Sequence, residues 1–135
     1  GNGRATALLF AREGARVLCL DRRAERAEET AALIRAEDGE AEFLRGDVAV
    51  AADGEAAVAA ALARWGRFDG LVNNVGIGGG GDGPVHAAEE TAFDRILAVN
   101  LKGAWLMTRA ALAPMREQRS GVVVNVSSLA ALAGA

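Results

Sequence analysis

The hydrophobic pattern of this 135-residue chain switches repeatedly between two periods, and that switching constrains the fold more than any single motif does. Short apolar runs at 16–20, 41–44, 70–73 and 121–126 have the length of strands, and the last is the richest in β-branched residues. Between them, apolar residues recur at helical spacing. After Asp21, the residues Ala24, Ala27, Ala31 and Ile34 share one face, while Arg22, Glu25, Arg26 and Glu29 mark the solvated one; Gly39 is expected to end that helix. Val58, Ala61, Leu62 and Trp65 form a second stripe, stopped by Gly66. The third and longest helix is expected from about Ala87 to Leu112, with Phe93, Ile96, Leu97, Leu101 and Ala104 as its apolar stripe and Pro114 disturbing its last turn. Strands alternating with helices predict an α/β layer fold built on a parallel sheet, in one domain or part of one.

Composition then removes whole classes of function. Net charge is −3 with acidic and basic residues interleaved, so there is no basic patch for nucleic acid. The longest apolar runs, such as 58–63 and 110–115, fall far short of the roughly 20 residues that span a bilayer. The N-terminus has no signal-peptide pattern, and a cytoplasmic chain without a membrane partner is expected. Cys19 is the single cysteine, lies in the apolar run Val17-Leu18-Cys19-Leu20 and reads as a small buried hydrophobe. With no tyrosine and one histidine, His86, metal clusters of His and Cys and a Ser-His-Asp triad both lack parts; no metal site is expected.

The polar residues that remain gather at strand ends. Gly1-Asn2-Gly3 opens a helical run, where close backbone approach and the positive end of the helix suit an anion. Asp21 follows the next strand 18 residues beyond Gly3, placed either to accept hydrogen bonds from a ribose or to cap the helix that follows. Asp47 likewise ends a strand, as ligand contact or turn former. Asn73-Asn74 leaves the third strand and serves either the strand end or a ligand. The loop Gly76 to Pro84 has glycine at five of its first six positions; it is expected to be mobile unless something orders it, a plain surface loop or a segment closing over a ligand at the sheet edge. Asn100 falls in the apolar stripe of the long helix, where an unpaired amide would cost about 1 to 3 kcal/mol, so it needs backbone, water or ligand as partner. Val122 to Val126 reads as a buried-type strand delivering Ser127 and Ser128 to the same edge; a nucleophilic serine would need a base, and only His86 is present.

Together these segments resemble the short-chain dehydrogenase/reductase family. The matching pieces are Gly1-Asn2-Gly3-Arg4-Ala5-Thr6-Ala7, Asp21-Arg22, Gly46-Asp47-Val48, Asn73-Asn74-Val75-Gly76, Val99-Asn100-Leu101-Lys102-Gly103 and Val124-Asn125-Val126-Ser127-Ser128, six motifs in order that cover essentially the whole chain. The resemblance implies a Rossmann-type, doubly wound parallel sheet with helices on both faces, and a nicotinamide cofactor. Gly1 and Gly3 match the last two glycines of the phosphate-binding turn, with Asn2 in place of the usual isoleucine. Asp21 matches the residue that binds the adenosine ribose, so NAD is favoured over NADP, while Arg22 and Arg23 support the minority reading. Asp47 and Val48 match the pair flanking the adenine. Asn74 matches the amide contacting the cofactor, in a segment continuing through Val75, where alanine is commoner, and Gly76.

The same resemblance gives Ser128 the catalytic role of hydrogen-bonding the substrate oxygen and Asn100 that of helping to hold a water in the proton relay. The family's general acid/base is a tyrosine about a dozen residues past that serine, with a lysine four further on, and both positions fall beyond Ala135. The chain is therefore expected to be an incomplete fold, truncated at both ends. It would lack the first strand, which in the family lies centrally between 16–20 and 70–73, and the C-terminal part. Folding in isolation is expected to be poor and activity absent. The expected parent transfers hydride between NAD(P) and a small-molecule alcohol or carbonyl carbon, as a homo-oligomer, dimer or tetramer, with the helix from Ala87 a usual contact surface. The alternative is a non-catalytic dinucleotide-binding module.

Overall fold

A computed structural model describes residues 1–133. The element order is α1 (Asn2–Arg12), β1 (Val17–Asp21), α2 (Ala24–Ala36), β2 (Ala41–Arg45), α3 (Ala51–Trp65), β3 (Gly70–Asn73), α4 (Glu90–Leu97), a π-helical segment (Ala98–Gly103), α5 (Ala104–Gln118), β4 (Val122–Asn125) and α6 (Ala130–Ala133). The four strands stand within a residue or two of where the apolar runs put them. β1 and β2 pair in parallel from Val17 opposite Ala41 to Asp21 opposite Arg45, and β3 and β4 from Gly70 opposite Val122 to Asn73 opposite Asn125. Each parallel pair is joined through helix, as parallel pairing requires.

Alternation along β1 shows why helices lie on both faces. Cys19 packs with Ala27, Ala31, Ile34 and Ala41 in one core cluster, to which Val17, Phe43 and the α1 residues Ala7 and Ala11 are added. Leu18, Leu20 and Leu44 point the other way, against the second cluster of Ala57, Val58, Leu71, Met107, Ala111 and Met115. The result is a doubly wound α/β arrangement. Burial pushes the Cys19 thiol above its ordinary value, in keeping with an inert core residue. Among the described residues β1 and β3 share no ladder; the two sheets flank a cleft of about 1110 Å³.

The helix ends follow local chemistry, with one adjustment. Gly66 adopts φ 74° and its N–H donates to Leu62 O at 2.7 Å, closing α3 as expected. At the end of α2 the left-handed residue is Asp38, φ 61°, and not Gly39. Gly39 instead passes so close to the helix that a Cβ there would lie 2.7 Å from Ile34 Cγ2 and 3.0 Å from Ile34 O.

Three expectations about the C-terminal half are corrected. The long helix does not fade near Leu112: α5 runs through a buried Pro114 to Gln118, whose side chain clamps Phe68 by accepting its N–H at 2.8 Å and donating to its carbonyl at 2.9 Å. Its predicted stripe does not face the core, for Phe93 is 58 % and Leu101 65 % exposed. The π segment is the cause. An i→i+5 turn carries one extra residue, which offsets the helical phase by about 100°, so a single 3.6-residue period cannot describe both sides of it. Beyond it Leu106, Met107, Ala111 and Met115 are buried. β4, finally, is a largely exposed strand and not a buried-type one: Val122 and Val124 stand open because β4 is the outer member of its pair.

Candidate functional site

Parallel strands bring their carboxyl ends to one edge, and the polar residues singled out above are distributed along it. Gly1 caps α1, with its carbonyl accepting Ala5 N–H at 3.2 Å, and no atom stands within 4 Å of where a Gly1 Cβ would be. The first turn of α1 thus opens onto unobstructed space with its unpaired N–H groups. Gly3 is the opposite case: a Cβ there would sit 2.7 Å from Asn74 Nδ2, so glycine is what lets the Asn74 amide lie against the helix. Asn73, by contrast, is spent on the scaffold, its Nδ2 donating to Asn125 Oδ1 at 2.8 Å and Thr108 Oγ1 at 3.2 Å.

Asp21 does serve the local turn, Oδ1 accepting Arg23 N–H at 2.9 Å ahead of α2. A carboxylate has a second oxygen, so that bond leaves Asp21 capacity to receive hydroxyl donors. The Asp47 carboxylate accepts Ala49 N–H at 2.9 Å, while its own N–H donates to Asp53 Oδ2 at 2.7 Å. Arg22 Nη1 stands 3.9 Å from Asp47 Oδ2, so the basic residue that follows Asp21 turns toward the second carboxylate. Val48 packs against the π segment so closely that a Cβ on Gly103 would approach its Cγ2 to 2.7 Å.

Gly1, Asn2, Gly3, Asp21, Val48, Asn74 and Val75 all line the cleft between the two sheets. Asp47 and Arg22 pair beside it, whereas Gly76, Asn100 and Ser128 lie outside its lining. Asn100 is exposed and not sunk in an apolar stripe, a correction that follows from the phase offset. Its partner is nonetheless the backbone: Oδ1 accepts Ile77 N–H at 2.8 Å and Nδ2 donates to Ile77 O at 2.9 Å. Each amide atom keeps a second bonding direction, enough for a water. Ser128 is exposed beyond β4, its carbonyl accepting Ala131 N–H at 3.1 Å.

Two residues that shape this edge escaped the sequence reading. Asp53, in the first turn of α3, holds Asp47 by its N–H; an acidic residue just inside a helix start was the available signal. Arg95 holds the glycine loop and gave no signal, because an arginine on an exposed helix face reads as solvation. Among the described residues no group of three or more His, Cys, Asp or Glu could hold a metal ion, and no helix is long and apolar enough to cross a membrane.

Comparison with known proteins bears on this arrangement. The chain is 42 % identical over 134 residues to an uncharacterized oxidoreductase of Thermotoga maritima, covering 99 % of this chain and 52 % of that protein. An NAD+-bound xylitol dehydrogenase superposes with a TM-score of 0.93 at 33 % identity, over all of this chain and 52 % of the other. A metagenomic short-chain oxidoreductase in complex with NADP gives 0.87 at 37 % identity, over 96 % and 58 %. The chain spans about half the length of the curated relatives it matches. The short chain dehydrogenase model matches residues 1–135, and with the parallel strands, two-faced helix packing and cleft-lining glycines described above, the chain belongs to the short-chain dehydrogenase family.

Proposed function

We propose that this chain is a single, partial NAD(P)-binding Rossmann domain. In it, the cofactor-binding half of a cytoplasmic oxidoreductase moves hydride between a nicotinamide and a small-molecule alcohol or carbonyl carbon. The observation that carries this reading is the convergence of the open α1 N-terminus, Asp21 and Asn74 on one cleft at the carboxyl ends of parallel strands. The residues fit the group: a diphosphate has clear space at Gly1, and Asp21 has a carboxylate oxygen to offer ribose hydroxyls. The bound nicotinamide would supply the hydride chemistry. Asp47 and Val48 flank the adenine, Asn74, Val75 and Gly76 meet the cofactor, Ser128 donates to the substrate oxygen, and Asn100 fixes its helix to Ile77 while keeping a bonding direction for a relay water.

NAD is the preferred cofactor, because the Asp21 charge repels a 2′-phosphate and Arg22 is drawn toward Asp47. Hydrogen bonds to a charged group contribute about 1.5 to 3 kcal/mol each, so Asp21→Ala should weaken NADH about 10- to 100-fold in a fluorescence titration, with NADPH little affected. NADPH binding more tightly than NADH to the parent sequence would reverse the preference. Loss of both would sink the reading, and cofactor binding that never supports alcohol oxidation in an intact homologous frame would favour the binding-module alternative.

The partner surface is the outer face of the long helix. Leu97, Leu101 and Trp105 are exposed there with Asp94 and Lys102 beside them, and Arg109 lies 4.8 Å from the Trp105 ring. Asp94 and Lys102 stand four residues either side of Ala98, so two antiparallel copies would oppose unlike charges around a small residue, as a two-fold interface requires. A homo-oligomer built on this face should dissociate when Leu101 is changed to Asp. Sedimentation showing the same mass for L101D and the parent sequence would refute it.

A further inference from the structure

The glycine loop at 76–83 is held from one side only, and at three points. Ile77 is bound through both backbone groups by Asn100. Gly81 O accepts Glu89 N–H at 2.9 Å. Between these, Arg95 Nη2 donates to Gly79 O at 2.6 Å and to Gly80 O at 3.0 Å. All three partners belong to α4 or its edge and the π segment, so the loop rides on this helix and not on the sheet it leaves.

Arg95 is the unusual member. Among the described residues it makes no ion pair; its cation is given to main-chain carbonyls, a charge-assisted arrangement stronger than a neutral hydrogen bond. Gly79, Gly80 and Gly81 have φ of 73°, 55° and 87°, three successive residues in the left-handed region, which turns two consecutive carbonyls to a single donor. The guanidinium also covers the chain: a Cβ on Gly80 would stand 3.3 Å from Nη2 and 3.5 Å from Nη1. A segment whose composition demands freedom is thereby fixed without any side chain of its own.

Resting on the cofactor site assigned above, we propose that Arg95 is a positioning residue of that site: by latching Gly79 and Gly80 it orders the loop and so preorganises the Asn74–Gly76 segment that enters it. Asn74 and Val75 line the cleft and are continuous with Ile77 through Gly76, so slack in the loop is transmitted to them within two residues. Freeing a single backbone residue that binding must order again corresponds to about a ten-fold loss of affinity.

The test compares the 135-residue chain with R95A and R95K, measuring amide hydrogen exchange and, separately, NAD binding by calorimetry. Exchange of amides 77–83 should accelerate at least ten-fold in R95A. R95K, which keeps the charge but not the planar group over Gly80, should fall between the two, and amides 17–21 of β1, unchanged, show that the variants fold. NAD binding should be about ten-fold weaker in R95A. Loop exchange in R95A within two-fold of the parent chain overturns the latch. A loosened loop with unaltered NAD affinity overturns its link to the cofactor. A parent chain that fails to bind NAD refutes the site assignment, and the exchange comparison still decides the latch.

Discussion

Gly3→Val should abolish cofactor binding, with NADH affinity at least 100-fold weaker and the helix content unchanged. A Cβ at this position comes to 2.7 Å from Asn74 Nδ2, below any real contact, and valine adds two methyl groups beyond it. α1 is a regular helix at Gly3, so the backbone tolerates the side chain; the conflict is across the cleft. Asn74 must withdraw, and the new methyls occupy the space beside the open helix N-terminus. Site occupancy and site geometry are lost together, which is why the effect exceeds that of removing one hydrogen bond, about 0.5 to 1.5 kcal/mol. Gly1→Ala is the matched control: nothing lies within 4 Å of its Cβ position, and a methyl there should cost far less. Equal NADH affinities for G3V and the parent chain would remove the first turn of α1 from the cofactor site.

The largest effect on stability should come from Ile34→Ala. Ile34 is 1 % exposed, packs in the cluster that joins α1, α2 and β1, and touches Gly39 where the chain turns into β2. Truncating a buried isoleucine leaves a cavity and costs about 2 to 5 kcal/mol, against a whole-domain stability of about 5 to 15 kcal/mol. The urea midpoint should fall steeply, and a chain already marginal should unfold. The neighbouring Leu33, 43 % exposed on the same helix, offers the comparison: Leu33→Ala should move the midpoint only slightly. Similar losses for the two would mean that α2 is not seated as described.

How far the sequence could be read depended on whether the deciding interaction was local. The short runs at 17–21, 41–45 and 70–73 became strands because length, β-branching and a following turn residue act within a few positions. Gly66 closed its helix for the same reason. The sequence could not reveal the π segment, since no residue type announces an extra residue in a turn, and so the stripe through Phe93, Leu97 and Leu101 was placed toward the core when it faces out. Exposure of β4 likewise depends on what stands beside it, which β-branched composition does not encode. At the candidate site, the order of six motifs identified Gly3, Asp21 and Asn74, and the fold brings these three to one cleft. Arg95 stayed hidden because its partners are carbonyls, which every residue carries.

The extra residue in the turn at Ala98–Gly103 separates two requirements that a uniform helix would merge. In a uniform helix, a substitution that suits the outward stripe recurs a few turns later against the interior, so assembly and packing compete for the same positions. Here Leu97 and Leu101 face outward on one phase, and Met107, Ala111 and Met115 face inward on another. Residues on the outer phase are therefore free to drift toward new subunit arrangements while the inner phase keeps its volume. This single helix can change its company without renegotiating its core.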